Sequence, residues 1–344
     1  MTSSVSGLLL VGGYTPPTGA GQGIRLVSEF DGELADRGVL AATESPSFLA
    51  LSADGERLYA VNETDPGRVS AFGRTGSRAE PGLRSLGWQP TGGAHPCHLA
   101  LHPSGRLLAV ANYSSGSVAI HPLDDDGAVR PHAQLLRLHG SGPNAERQDS
   151  PHAHQVSFAA GGDELTVADL GSDRLWRYHH RAGAYALVDE VSLPPGSGAR
   201  QLLLDPAAGR GYVLGELDNS VSTLQWRLPA RLLSSVAGHA EPLSSGALSA
   251  ALIAGPRPGL LYASHRGADR ITVLRQDGDG VTPVAEFDSY GRSPRHLALD
   301  GNRLYIANQL SHTLVGVPVA TDTGLPAGPV SSLELPSPSC VLPW

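Results

Sequence analysis

The chain has no lysine; all 25 of its basic residues are arginine. A GC-rich coding bias accounts for this better than any functional demand. It still means that an anion site here rests on guanidinium groups, which is chemically sufficient. Two cysteines in 344 residues, Cys97 and Cys340, make no disulfide framework. They read as buried thiols of a protein from the reducing cytoplasm. A net charge of −8 leaves no basic excess for nucleic acid or an anionic membrane surface. Long apolar runs are missing too. Leu8–Val11 is far too short for a signal peptide or a membrane span, and Met1–Gly7 carries no cationic segment. Helical periodicity is almost absent; residues 229–238 alone suggest a short helical turn.

What the chain has instead is turn residues and a repeat. Its 42 Gly and 27 Pro suit many tight turns, and a hydrophobic content of 40% is ample for a core. Positions 46–62 and 96–112 align without a gap, sharing Pro, Leu, Ala, Leu, Gly, Leu and a final Asn. Apolar anchors recur at Leu49, Leu99, Val156, Leu202, Leu252 and Leu297. Each opens an alternating strand such as Leu99-Ala100-Leu101, followed by a turn, a second strand and a third (Ser117–Ile120). A less regular fourth follows, as at Arg84–Gln89. Four short strands per unit of this length make a propeller blade. One further 45-residue step from Leu297 reaches Leu342, where the chain stops, while Leu8–Tyr14 reads as a second strand lacking a first. The C-terminal strand is therefore expected to complete the N-terminal blade. The expectation is an all-β, seven-bladed β-propeller of four-stranded antiparallel blades, residues 1–344 forming one domain.

Antiparallel pairing brings residues before each first strand beside those ending each second strand, at one mouth of the channel. The first set holds His95, His98, His152, His154, Arg200, Gln201, Arg295 and His296. The second holds Asn62, Asn112, Asp169, Glu216, His265 with Arg266, and Asn308. Asn in several copies fits plain turn formation; Asp169, Glu216 and Arg266 break the pattern. An Asp169–Arg174 contact tying a turn is an equal reading for Asp169. His152 and His154, two apart, would face one side of a strand and suit a metal pair, with Asp169 or Glu216 as further ligands. No complete ligand set is evident, and no metal or other cofactor is expected. A cleft with His154, Glu216, Arg200 and Arg266 suits an anionic or ester substrate: arginines bind the anion and polarise a carbonyl, and His or Glu moves a proton. His95, His98, Asn112, His152, Asp169, Arg295 and Asn308 are the accompanying substrate-binding candidates. No Gly-x-Ser-x-Gly elbow exists and neither Cys has a nucleophile's setting, so direct attack by water or internal proton transfer is favoured.

Several stretches carry a family resemblance: His95–His98, Ala111–Val118, Gly140–Gln148 running into Pro151–His154, Ala168–Arg174, Gly215–Leu217, Ser264–Gly267, Pro294–His296 and Ala307–Gln309. They resemble the seven-bladed propeller lactonases, which include bacterial 6-phosphogluconolactonases and fungal carboxy-cis,cis-muconate cyclases. The resemblance implies a His, two Arg and a Glu at the channel mouth, matched here by His154, Arg200, Arg266 and Glu216, and no obligatory metal. Gly198-Ala199-Arg200-Gln201 stands where the family commonly has Gly-Pro-Arg-His, and His265 where it has Asn. The leading expectation is a monomeric cytoplasmic hydrolase that opens a sugar lactone. The alternatives are a cycloisomerase or lyase on an anionic ring, a non-enzymatic interaction scaffold, and a metal-dependent lactonase holding Ca²⁺ or Zn²⁺ in the channel.

Overall fold

The computed structural model describes residues 7–77 and 79–344. The N-terminal segment read for a leader, apart from Gly7, lies outside the described residues. Twenty-eight strands form seven four-stranded antiparallel sheets arranged as the blades of a propeller. The described residues contain no helix. The first blade is composite: Pro338–Pro343 pairs with Gly7–Gly13, with Leu10 opposite Leu342 and Val11 opposite Val341. The closing anchor is Val341, fully buried, one residue before the expected Leu342.

Burial explains why second strands such as Leu107–Asn112 read as nearly unbroken apolar runs. Both faces are covered, because each blade is packed against two neighbours. The core falls into seven clusters, each spanning one pair of adjacent blades. Leu108 and Val110 pack toward Tyr59 and Val61 of the second blade. Ala109 and Ala111, on the opposite face, pack toward Val167 and Trp176 of the fourth. Leu9, Val11 and Val341 of the composite blade meet Tyr305 and Leu314 of the seventh, so the closure is cemented like any other interface. The expected helical turn at 229–238 is instead an outer strand, Arg231–Ala237, paired with Ser220–Gln225. Half its side chains face solvent, so it has no apolar stripe for a helix to bury.

The innermost strands carry the device that builds the site. Their registers slip by one residue between Pro96 and His98, Ala153 and Gln155, Ala199 and Gln201, and Pro294 and His296. The skipped residues are Cys97, His154, Arg200 and Arg295. Ser339 is skipped in the composite blade and Ala250 lies in a wider slip of the sixth. A β-bulge turns its extra side chain away from the regular pleat. Together with Ser47, these positions line the channel, one from every blade.

In four blades the residue after the bulge latches its blade to the next. His98 Nδ1 accepts the backbone N–H of Val156 at 3.5 Å, and His296 Nδ1 that of Val341 at 3.3 Å. Gln155 accepts from Leu202, and Gln201 Oε1 accepts from Leu252 at 2.7 Å. Gln201 thus does at its position what a histidine does in two other blades.

Candidate active site

Two rings of side chains meet at the channel mouth. The bulges supply His154, Arg200, Cys97 and Arg295. The second ring comes from the ends of second strands in five blades: Tyr14, Glu63, Tyr113 and Glu216 just after theirs, and Arg266 as the last residue of its own. Together with Arg147, most of these line a cavity of about 300 Å³. Beneath it lies a chamber of about 30 Å³ that shares Glu63, Cys97, His154, Arg200 and Arg295 with the upper cavity.

Glu216, 2% exposed, is the hub. Oε1 accepts from Arg147 Nη2 at 2.8 Å and lies 3.1 Å from Arg266 Nη2. Oε2 pairs with Arg200 Nη1 and lies 3.9 Å from His154 Nε2. Burial pushes this carboxyl up, but the Arg200 and Arg266 charges outweigh it and hold it well below the usual carboxylate range. Arg200 Nη1 also donates to His154 Nε2 at 2.7 Å, and Arg200 Nε donates to the Ala250 carbonyl at 2.6 Å. Burial and Arg200 hold His154 well below the ordinary histidine range, so its ring is neutral. An always-protonated arginine donating to Nε2 places the ring proton on Nδ1. Arg266 Nη2 donates to the Ser249 carbonyl at 3.2 Å, while burial lowers its pKa to about 10. Four guanidinium groups face two carboxylates in a chain whose net charge is −8. The mouth is therefore a local cationic well.

A second group stands on the side of the composite and second blades. Arg295 Nη2 donates to Tyr14 Oη at 2.6 Å, its guanidinium 5.1 Å from that ring. Tyr14 Oη in turn donates to Glu63 Oε2 at 2.9 Å. Arg147 reaches the cavity from the long third-to-fourth blade connection and also donates to Tyr113 Oη at 3.2 Å.

The structure brings His154, Arg200, Glu216, Arg266 and Arg295 together. His98 lines only the lower chamber, its ring 4.1 Å from Phe48, and burial lowers its pKa to about 3. The remaining sequence candidates lie elsewhere. Asn112 and Asn308 are fully buried and turned into their blades, donating to the carbonyls of Thr91 and Ser289. Asp169 is also fully buried; it accepts from Trp176 Nε1 at 3.0 Å, from the N–H groups of His152 and Gly171, and from Ser172 Oγ. Its carboxylate ties the turn without Arg174, whose Nε lies 3.9 Å from Glu190. His265, in the equivalent place, is spent on Ser249 Oγ, Thr272 Oγ1 and the Gly238 carbonyl. His95 bonds Ser114 Oγ and does not line the cavity. His152 stacks on Tyr113 at 4.5 Å, while His154 meets the same ring edge-on at 5.7 Å. His152 precedes the strand and His154 is its bulge residue, so the two do not share one strand face as expected. Among the described residues, no three His, Cys, Asp or Glu gather into a group able to hold a metal ion.

Tyr14, Glu63, Tyr113 and Arg147 are site residues that the sequence argument missed. For Tyr14, Glu63 and Tyr113 the signal was one position away, whereas Arg147 comes from a connection outside the repeat. The asparagines end their strands and face inward, whereas the next residue turns into the channel. Glu216 was found because its blade has Gly215 at the asparagine position, with the Asp218 carboxylate filling the space.

Cys97 and Cys340 are free and buried, and burial pushes both thiols up. Cys97 Sγ donates to the His154 carbonyl at 3.3 Å, a structural role rather than a nucleophile's. No helix of the described residues is long and apolar enough to cross a membrane.

A family model described as "Lactonase, 7-bladed beta-propeller" matches residues 8–343. The chain is 28% identical to the 6-phosphogluconolactonase of Bacillus subtilis over 342 residues, covering 96% of each. It is 28% identical to that of Formosa agariphila over 327 residues, covering 89% of this chain and 91% of the relative. Among solved structures, the periplasmic gluconolactonase of Pseudomonas aeruginosa superposes with a TM-score of 0.88 at 26% identity, over 98% of both chains. The family model spans almost the whole ring of blades, and this chain belongs to the seven-bladed β-propeller lactonase family.

Proposed function

We propose that this lactonase opens an anionic sugar lactone, of the 6-phosphogluconolactone type, in the cavity at its channel mouth. The observation that carries the reading is the convergence of Arg147, Arg200, Arg266 and Arg295 on one cavity of about 300 Å³. A phosphate or carboxylate on the substrate finds bidentate partners there. Arg200 and Arg266 polarise the lactone carbonyl and stabilise the oxyanion formed when water adds. Glu216 holds these two guanidiniums and Arg147 in place. His154 keeps Arg200 aimed through its Nε2 acceptor. Neither offers an unshared basic lone pair, because Glu216 is saturated with cations and His154 Nε2 already accepts from Arg200. Direct attack by water fits the unreactive setting of Cys97. The two buried thiols suit a monomer working in a reducing cytoplasm.

A panel of sugar lactones, phosphorylated, carboxylated and neutral, tests the reading by ring-opening rate and product mass. The expected result is turnover of an anionic member with a product one water heavier than substrate. Turnover without a mass change would make the enzyme a cycloisomerase. Inactivity of a folded sample on every lactone would overturn the proposal.

A further inference from the structure

We propose that Glu63 is the general base that activates the attacking water, held in place by Tyr14 and Arg295. The inference rests on the reading of this cavity as a lactone-hydrolysing site. It starts from the two carboxylates that line the cavity. Glu216 has both oxygens committed to Arg147, Arg200 and Arg266. Glu63 is half-buried, and among the described residues Tyr14 is its one side-chain hydrogen-bond donor, at Oε2. Its Oε1 lone pairs therefore remain available. The donor is itself fixed from behind, since Arg295 donates to Tyr14 Oη at 2.6 Å and covers its ring. Burial and Glu63 raise the tyrosine's pKa, so Tyr14 stays a neutral donor. The backbone of Glu63 is anchored as well, its N–H donating to the Ser45 carbonyl at 3.0 Å.

Water has a place to stand beside this carboxylate. Glu63 lines both the upper cavity and the chamber below it. At about 30 Å³ that chamber accommodates a water molecule, and polar groups from Ser47, Ser339 and Arg295 surround it. A carboxylate that borders a water-sized chamber on one side and the arginine-lined cavity on the other meets the positional demand on a general base.

The step balances as follows. Glu63 Oε1 takes a proton from water as the water oxygen bonds to the lactone carbonyl carbon. The carbonyl electron pair moves onto oxygen, facing Arg200 and Arg266. The oxyanion collapses, the ring C–O bond breaks, and the leaving alkoxide takes the proton back from Glu63. The product is the hydroxy acid, which ionises to its carboxylate in bulk water.

The test uses a lactone that the wild-type enzyme turns over. Glu63→Gln, which keeps an acceptor for Tyr14, is expected to lower kcat by about 10²-fold or more with KM within about threefold. Sodium formate or azide is expected to restore part of the activity of Glu63→Ala, an effect a merely structural residue would not show. Tyr14→Phe, which frees the carboxylate from its positioning bond, is expected to lower kcat by about tenfold. If Glu63→Gln does not fold, Glu63→Asp carries the test, because it keeps the charge, withdraws the oxygen and should still lose kcat. Retention of wild-type kcat by Glu63→Gln, or absence of small-anion rescue, overturns the proposal while leaving lactone hydrolysis standing. Inactivity of the wild type on every lactone instead removes the functional reading itself.

Discussion

A guanidinium keeps its charge wherever it is buried, so a group of four must be offset by something fixed. Glu216 offsets three of them. Glu216→Gln is expected to destabilise the fold by roughly 3–5 kcal/mol, because Arg200 and Arg266 would then be left largely buried without a counter-charge. The denaturant midpoint of unfolding measures it. Arg266→Gln is expected to reduce kcat by about 10²-fold if the side chain faces the oxyanion. A rise in KM alone would make it a substrate-positioning residue. Four of these site residues were legible in the sequence, because His154, Arg200, Glu216 and Arg266 stand out chemically against their repeat equivalents. Asn112, Asp169 and Asn308 were included with them because periodicity identifies a strand's end without saying which of two neighbouring residues turns inward. Glu63 and Tyr14 fell on the other side of that one-residue ambiguity.

At the level of the strand, the bulge does two jobs at once. It turns Cys97, His154, Arg200 or Arg295 into the channel, and it is followed by the latch residue that engages the next blade. Gln201→Ala is expected to cost about 1–3 kcal/mol, by leaving the buried Leu252 N–H without its acceptor. Gln201→His should come within about 1 kcal/mol of wild type, since histidine already fills this role at His98 and His296. Thermal or denaturant unfolding of the two variants decides it. The apparent departure at this position is therefore a change of acceptor and not of function. Strand positions were readable from the recurring apolar anchors, which each blade buries against a neighbouring blade. Arg231–Ala237 was misread because an outer strand with scattered leucines and serines carries no clear period of either kind. The bulges left no compositional trace, since they change register and not residue type.

Across the whole molecule, burial holds several histidines neutral. His98 falls to about 3, and His121, His265 and His296 fall to about 4, each through burial first. An unfolded chain protonates these rings near pH 6.5. Between about pH 6.5 and 4 the unfolded state thus binds protons that the folded state refuses, so stability falls as pH falls through that window. Glu216, depressed in the folded state, adds to the loss at the acid end. Denaturant midpoints measured from pH 7.5 down to 4.5 should decline steadily, and a flat profile would contradict this assignment. Seven blades were countable from the repeat interval, and closure followed from a first strand missing at one end and present at the other. The pairing of Leu9 with Pro343 has one more consequence. It sets the described ends, Gly7 and Trp344, at the ends of adjacent strands of one blade. Joined by a short tether and reopened at a solvent-facing hairpin such as Arg181–Ala184, the same blades would hold the same catalytic mouth, with a different pair of neighbours serving as the clasp.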